Sequence, residues 1–249
     1  MVVFASVVHA EIKTETLEYR EGETLCEGVA VYDTVVKGKR PGILIVHQWK
    51  GLTAYEKRRA EMLASLGYAV VCADTYGKGV RADNPKDAAG LAGKYKADRP
   101  LLRARVNAGL AQLKAHPMVD ARRTAAIGYC FGGTTVLELA RSGADVAGVV
   151  SFHGGLSTPS AADAKQIKGK VLALHGADDP YVPAAEVAAF EDEMRAAKVD
   201  WQFVAYGSSV HSFTMKEAGN DNSKGAAYNE KADQRSWEAM KVFFGELFK

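Results

Sequence analysis

The sequence has few cysteines, no excess of charge of either sign and no long apolar run. Its 249 residues include three cysteines, at positions 26, 72 and 130, an odd set without metal-ligand spacing, which indicates neither a disulfide framework nor a zinc site. The 32 Lys and Arg residues nearly balance 30 Asp and Glu residues, so nothing favours a nucleic-acid or acidic-membrane partner. No apolar run approaches the roughly 18 residues of a membrane span. We therefore expect no metal or other cofactor, no nucleic-acid partner and no membrane partner.

The first ten residues, MVVFASVVHA, allow two interpretations. They resemble the end of an export signal cut after the small residue Ala10, but they lack the basic start of such a signal. They also read as an ordinary apolar first strand. The first interpretation predicts a periplasmic or secreted protein and the second a cytoplasmic one. We expect residues 11–249 to form one domain, because no repeat or linker interrupts them.

The rest of the chain alternates between strand and helix patterns. Two alternating segments around Arg20–Glu23 predict a β-hairpin. The apolar runs GILIVH, YAVVCAD, TAAIGY, VAGVVSF, KVLALHG and WQFVAY predict buried strands. Helices are expected between them, whereas the polar segment Tyr76–Pro100 predicts a loop with a short helix. This alternation predicts an α/β fold, with a mainly parallel sheet and helices on both faces.

A cysteine lies in a glycine-rich stretch between a predicted strand and a predicted helix. The stretch is IGYCFGG, in which Gly128 and Gly132 flank Cys130. G-x-C-x-G matches the frame of a nucleophile elbow with a thiol in place of the hydroxyl. The helix N-terminus would favour a thiolate, and the N–H of Phe131 would stabilise an oxyanion. The alternative is a small buried cysteine in a tight bend.

Two further candidates follow later strands, in the order that this architecture requires. Asp178 and Asp179 come directly after KVLALHG, and His211 follows WQFVAYG. Taken alone, an aspartate at this position is as typical of a solvated turn as of an active site, and a histidine is as typical of a polar loop. Their order and their position after strands favour a nucleophile, acid and base at one edge of the sheet.

These stretches together resemble the dienelactone hydrolase family (carboxymethylenebutenolidases) of the α/β-hydrolase fold. The similarity is carried by GYCFGG, HGADDPYVP, VHSF, HQWKGL and GYAVVCADTYGKG, and extends from about Pro41 to the end of the chain. It implies Cys130 as nucleophile, His211 as base and Asp179 as the residue that orients the imidazole, with Asp178 as the spare candidate. It also implies an oxyanion hole made by the N–H groups of Phe131 and Trp49.

The chain departs from the family pattern where the substrate would bind. Gln48 replaces a glutamate that holds the nucleophile's proton, so His211 is expected to deprotonate the thiol directly. Met215 and Leu91 fall at the positions of a two-arginine carboxylate clamp, whereas Tyr95 matches an active-site tyrosine. His153, Tyr181 and Phe213 are further pocket candidates, although a core or supporting role fits each equally well. Loss of two guanidinium groups favours a neutral substrate over an anionic dienelactone.

The sequence thus predicts a hydrolase that cleaves a neutral carboxylic ester or lactone through a covalent acyl-enzyme. Two other classes stay open: a thioesterase, acyltransferase or peptidase on the same fold, and a binding protein without catalysis. We expect a small-molecule substrate and a monomer or weak homodimer.

Overall fold

Eight strands form one sheet in the order β1-β2-β4-β3-β5-β6-β7-β8. The computed structural model describes residues 10–249, so the expectation for residues 1–10 falls, apart from Ala10, outside the described residues. The strands are β1 (Ile12–Glu21), β2 (Thr24–Asp33), β3 (Arg40–Val46), β4 (Ala69–Ala73), β5 (Val119–Tyr129), β6 (Gly148–Phe152), β7 (Lys170–Gly176) and β8 (Trp201–Tyr206). The helices are α1 (Ala54–Ser65), α2 (Pro85–Ala97), α3 (Arg99–Ala115), α4 (Phe131–Arg141), α5 (Ala184–Ala197) and α6 (Glu230–Leu247).

The direction of the strands matches the sequence prediction. β1 and β2 form an antiparallel hairpin, and β2 pairs antiparallel with β4. Every other pairing, from β4 through β3 and β5 to β8, is parallel. The predicted α/β-hydrolase fold, with a mainly parallel sheet and an N-terminal hairpin, is confirmed. The carboxyl ends of the parallel strands consequently meet at one edge.

The central strands are covered on both faces. In β3, Leu44 and Val46 join one apolar cluster while Ile43 and Ile45 join the cluster on the opposite face. All four side chains have no solvent exposure. A strand buried on both faces reads as a continuous apolar run, which is why the pattern was visible in the sequence.

The polar segment Tyr76–Pro100 contains more helix than its composition predicted. α2 has 13 residues, begins at Pro85 and is capped by the Asn84 side chain, which accepts from the N–H of Asp87. Proline suits the first helical position because its missing N–H would have no intrahelical acceptor. Only a narrow stripe of this helix, including Ala92 and Tyr95, is buried, so the apolar signal in the sequence was weak.

Within residues 10–249, no helix combines the length and the apolar character needed to cross a membrane. The same part of the chain holds no group of three or more His, Cys, Asp or Glu side chains arranged for a metal ion.

Candidate active site

Cys130 lies in the one-residue turn between β5 and α4. Its backbone has φ 55° and ψ −115°, a conformation that costs energy for a residue with a side chain. The N–H of Cys130 donates to the carbonyl oxygen of Phe152 on the neighbouring strand at 3.0 Å. The sheet thus holds the strained turn in place, with the thiol at the carboxyl edge.

The two glycines of the G-x-C-x-G frame allow β5, α4 and β3 to approach one another. A Cβ atom on Gly128 would lie 2.0 Å from the carbonyl oxygen of Gly132. A Cβ atom on Gly132 would lie 2.1 Å from the carbonyl oxygen of Val46. Both distances are far inside van der Waals contact, so the sequence motif records a steric requirement of the turn.

Three side chains that are distant in the sequence form one hydrogen-bonded chain at this edge. His211 places Nε2 3.0 Å from Cys130 Sγ and Nδ1 2.8 Å from Asp179 Oδ2. The other oxygen of Asp179 accepts from the N–H of Tyr181 at 2.9 Å. Asp179 is buried whereas its neighbour Asp178 is exposed. Of the two adjacent carboxylates, it is Asp179 that contacts the imidazole.

The electrostatics of this chain favour a thiolate–imidazolium pair. Burial works to raise the pKa of Cys130, but the charge and hydrogen bond of His211 outweigh it, so the pKa of the thiol lies below its usual value. Burial works to lower the pKa of His211, but the Cys130 charge and the Asp179 hydrogen bond raise it to about 10. Both shifts favour the charged forms, with the proton on the imidazole and the sulfur as a thiolate.

A cavity of about 360 Å³ opens over the sulfur. Its lining residues are Trp49, Lys96, Cys130, Gly155, Tyr181, His211, Ser212 and Ala226. Tyr181 is 60% exposed, and its ring lies 5.4 Å from the imidazole of His211 at 89°. Sequence reasoning missed Lys96, whose charge also acts to lower the pKa of Cys130. It lies on α2, in the segment whose helix was underestimated.

The other expected pocket residues lie behind the cavity wall. Gln48 is buried, with Nε2 3.5 Å from the sulfur of Met215. Leu91 packs beside the buried ring of Tyr95, and the Tyr95 hydroxyl donates to the carbonyl oxygen of Tyr76 at 3.2 Å. None of the four expected residues Gln48, Met215, Leu91 and Tyr95 lines the cavity.

Two of the remaining candidates pack directly behind His211. The side chains of His153 and Phe213 have no solvent exposure. Their rings lie 5.1 Å apart, and His153 lies 5.2 Å from the ring of His211. His153 packs against the imidazole, Phe213 packs against His153, and both lie outside the cavity lining.

The backbone around Trp49 is held by a buried carboxylate that sequence reasoning missed. Glu56 has no solvent exposure. Its Oε1 accepts from the N–H of Gln48 at 3.1 Å, and its Oε2 accepts from the N–H of Thr53 at 2.8 Å. The T-x-x-E spacing from Thr53 to Glu56 is a capping-box signature and could have identified it. On the opposite side, the N–H of Phe131 is the first of α4 and has no intrahelical acceptor.

Fold, elbow and cavity define the protein as a hydrolase of the α/β-hydrolase class. The chain belongs to the dienelactone hydrolase family, whose model matches residues 27–248. The predicted family and the predicted hydrolase activity are both confirmed.

Known proteins that resemble the chain include one closely similar solved structure. This dienelactone hydrolase-like promiscuous phosphotriesterase from metagenomic libraries is 42% identical, covers 97% of this chain and 100% of its own, and has a TM-score of 0.92. An uncharacterized protein of Caenorhabditis elegans is 36% identical over 59% of this chain and 94% of its own length. A probable 2-oxo-3-(5-oxofuran-2-ylidene)propanoate lactonase from Bradyrhizobium is 26% identical over 84% of this chain and 85% of its own.

Proposed function

We propose that this hydrolase cleaves esters or lactones with Cys130 as nucleophile, His211 as acid and base, and Asp179 as the group that orients the imidazole. The observation that carries the proposal is the hydrogen-bonded chain of these three side chains, with distances of 3.0 and 2.8 Å, at the mouth of a cavity. These three side chains can supply a nucleophile and a proton donor in one place, with the imidazole ring held in a fixed orientation.

The reaction would proceed in two halves. The Cys130 thiolate attacks the substrate carbonyl carbon, and the N–H groups of Phe131 and Trp49 stabilise the oxyanion. The C–O bond breaks as His211 gives its proton to the leaving oxygen, which leaves a thioester. His211 then takes a proton from water, and the resulting hydroxide attacks the carbonyl carbon of the thioester. The C–S bond breaks, which restores the Cys130 thiolate and releases the carboxylic acid product.

The raised pKa of His211 supports a mechanism that does not need a second carboxylate to activate the thiol. Gln48 has no titrating group, and its amide lies against the thioether of Met215. In this proposal the imidazolium, assisted by the charge of Lys96, maintains the thiolate before the substrate arrives.

We propose a neutral ester or lactone as the substrate. Apolar Met215 and Leu91 take the place of a guanidinium clamp, whose charge-assisted hydrogen bonds would contribute about 1.5–3 kcal/mol each. Besides the His211 imidazolium, the cavity lining includes one cation, Lys96. Its side chain is exposed, and an exposed ion pair contributes at most about 1 kcal/mol.

The test of the substrate class is kcat/KM for a dienelactone carboxylic acid and for its methyl ester on one enzyme preparation. We expect the methyl ester to be the better substrate. A preference for the free acid would refute the neutral-substrate proposal. Loss of that preference in Lys96→Met would then assign anion recognition to Lys96.

The test of the nucleophile is Cys130→Ala, assayed with p-nitrophenyl acetate. We expect hydrolysis to fall to background while the unfolding midpoint stays near that of the parent. Cys26→Ala is the matched control, because this buried thiol lies in the hairpin and its loss should leave turnover unchanged. Hydrolysis by Cys130→Ala within a few-fold of the parent rate would contradict the assignment.

A panel of lactones, thioesters and aminoacyl anilides separates the proposed reaction from thioesterase and peptidase activity.

A second activity is favoured by the 42% identical relative, which is described as a promiscuous phosphotriesterase. We propose that the same thiolate attacks the phosphorus of neutral phosphotriesters. Release of 4-nitrophenol from diethyl 4-nitrophenyl phosphate should exceed that of the Cys130→Ala variant at equal concentration. Equal release from the two proteins would argue against this activity.

A further inference from the structure

A buried chain of polar side chains runs behind the imidazole of His211 and has no part in the proposed reaction. It begins at His153, directly after β6, where Nε2 lies 2.8 Å from Thr214 Oγ1. The Thr214 hydroxyl lies 2.6 Å from the Tyr55 hydroxyl, which in turn lies 3.3 Å from Nε of Arg59 on α1. All four side chains are buried.

Arg59 anchors one end of these hydrogen bonds. A guanidinium can only donate, so the Tyr55 hydroxyl accepts from Arg59, and it also contacts the hydroxyl of Thr214 at 2.6 Å and the carbonyl oxygen of Thr214 at 3.4 Å. The Thr214 hydroxyl in turn hydrogen-bonds to Nε2 of His153 at 2.8 Å. The guanidinium is itself fixed by Asp233 at 2.5 Å and by the carbonyl oxygen of Thr214 at 2.9 Å.

His153 is also held in an unusual backbone conformation beside the imidazole. Its φ is 40°, a region that disfavours a bulky side chain, and its N–H donates to the carbonyl oxygen of Leu174 at 2.8 Å. The ring lies 5.2 Å from that of His211 at an interplanar angle of 66°. A neutral ring in this position supports the imidazolium without adding a second positive charge.

We propose that His153 is a positioning residue: the chain from Arg59 through Tyr55 and Thr214 fixes its ring, and its ring fixes that of His211 against Cys130. The inference rests on the proposed role of His211 in catalysis. It assigns to His153 no contact with the substrate, in agreement with its burial behind the cavity wall.

Charged and titratable groups approach this ring from each element packed around it. They are His211 from the loop after β8, Arg59 from α1, Tyr129 from β5 and His175 from β7. Burial, with the nearby charges of His211 and Arg59, holds the pKa of His153 well below its usual value. His153 therefore stays neutral through the working pH range, and a change in the pH profile of a variant reports on the His211–Cys130 pair.

The experiment titrates the Cys130 thiolate by its rate of alkylation with iodoacetamide, which does not depend on hydrolysis. Cys26 and Cys72 are buried, and burial raises the pKa of each, so they contribute little. The variants are Thr214→Val, which cuts the chain, His153→Ala, which removes the ring, and His153→Phe, which restores an aromatic ring. The matched control is Thr124→Val, the same change at a buried position of β5 distant from the elbow.

When the His211 ring is held less firmly, we expect the imidazolium to stabilise the Cys130 thiolate less. The pKa of Cys130 should rise by on the order of one unit in His153→Ala, equivalent to a pair weakened about tenfold. Thr214→Val should give a smaller rise, and His153→Phe should restore most of the parent value. In p-nitrophenyl acetate hydrolysis, kcat should fall about tenfold in His153→Ala with KM within about twofold. The control should lower only the unfolding midpoint.

Two results would overturn the proposal. One is a parent-like Cys130 pKa in folded Thr214→Val and His153→Ala proteins. The other is a folded His153→Phe protein as impaired as His153→Ala. If His153→Ala does not fold, Thr214→Val and His153→Phe decide the question alone. Absence of hydrolysis in the parent would refute the proposed function and leave the alkylation result interpretable.

Discussion

Replacement of Gly132 by alanine tests whether the elbow depends on close contact between α4 and β3. The added Cβ would lie 2.1 Å from the carbonyl oxygen of Val46 and 2.8 Å from that of His47. Both are backbone atoms, so α4 and β3 would have to separate by about 1 Å. Overpacking of this kind costs about 1–3 kcal/mol of the free energy of unfolding.

The same displacement should impair catalysis more than stability. The start of α4 carries Cys130 and the N–H of Phe131, whereas the chain after β3 carries the N–H of Trp49. Moving one set relative to the other misplaces the nucleophile and the oxyanion donors together. A misplacement of about 1 Å can cost about 100-fold, and we expect that loss in kcat/KM for Gly132→Ala.

Gly245→Ala is the matched control, because Gly245 lies within α6 and an added Cβ would meet no atom of residues 10–249 within 4 Å. Alanine there should stabilise the protein by about 0.5–1 kcal/mol and leave kcat/KM unchanged. Both variants are compared by urea unfolding and by p-nitrophenyl acetate hydrolysis. A Gly132→Ala protein as stable as the parent, with kcat/KM within threefold, would refute the steric argument.

Three further predictions concern charged groups. Asp179→Asn should lower kcat by orders of magnitude with KM nearly unchanged. Asp178→Asn, at an exposed position, should lower kcat by less than about threefold. The reverse ranking in initial-rate assays would show that the wrong carboxylate was chosen. The rate of Cys130 alkylation should rise with pH through a midpoint below the ordinary thiol value of about 8.5, because the imidazolium stabilises the thiolate; a midpoint at or above that value would exclude the ion pair. Glu193→Gln removes the carboxylate 2.7 Å from the buried guanidinium of Arg141 and leaves Glu138, at 3.1 Å, as its charged partner. The free energy of unfolding should fall by about 2 kcal/mol, the contribution of a hydrogen bond to a charged group; a urea titration showing a loss under about 1 kcal/mol would contradict this.

The sequence by itself determined the order of elements and the residue pattern of the elbow. Buried strands such as β3 (Arg40–Val46) form continuous apolar runs because parallel strands are covered on both faces. The G-x-C-x-G frame around Cys130 is visible in the sequence because both glycines avoid backbone clashes: Gly128 with Gly132 and Gly133 in the turn, and Gly132 with Val46 and His47 at the end of β3. Local sterics of this kind leave a direct trace in the residue pattern.

The tertiary structure alone decided which side chains line the cavity beside the sulfur. Asp178 and Asp179 have the same residue type, and only the family resemblance favoured Asp179; adjacent residues in a turn point in different directions, and the second of the two contacts His211. Lys96 reaches the cavity lining from α2, whose Tyr95 ring lies 6.4 Å from that of Phe131 beside the elbow. The narrow buried stripe of this helix gave little signal in the sequence.

The same holds for the residues expected in the pocket. Gln48, Met215 and His153 were placed near the substrate by their position in the chain, but a position gives the neighbourhood of a residue and not the direction of its side chain. Packing turned these side chains inward, where their hydrogen bonds and apolar contacts could be satisfied. Those orientations depend on residues up to 167 positions away, and no local pattern in the sequence encodes them.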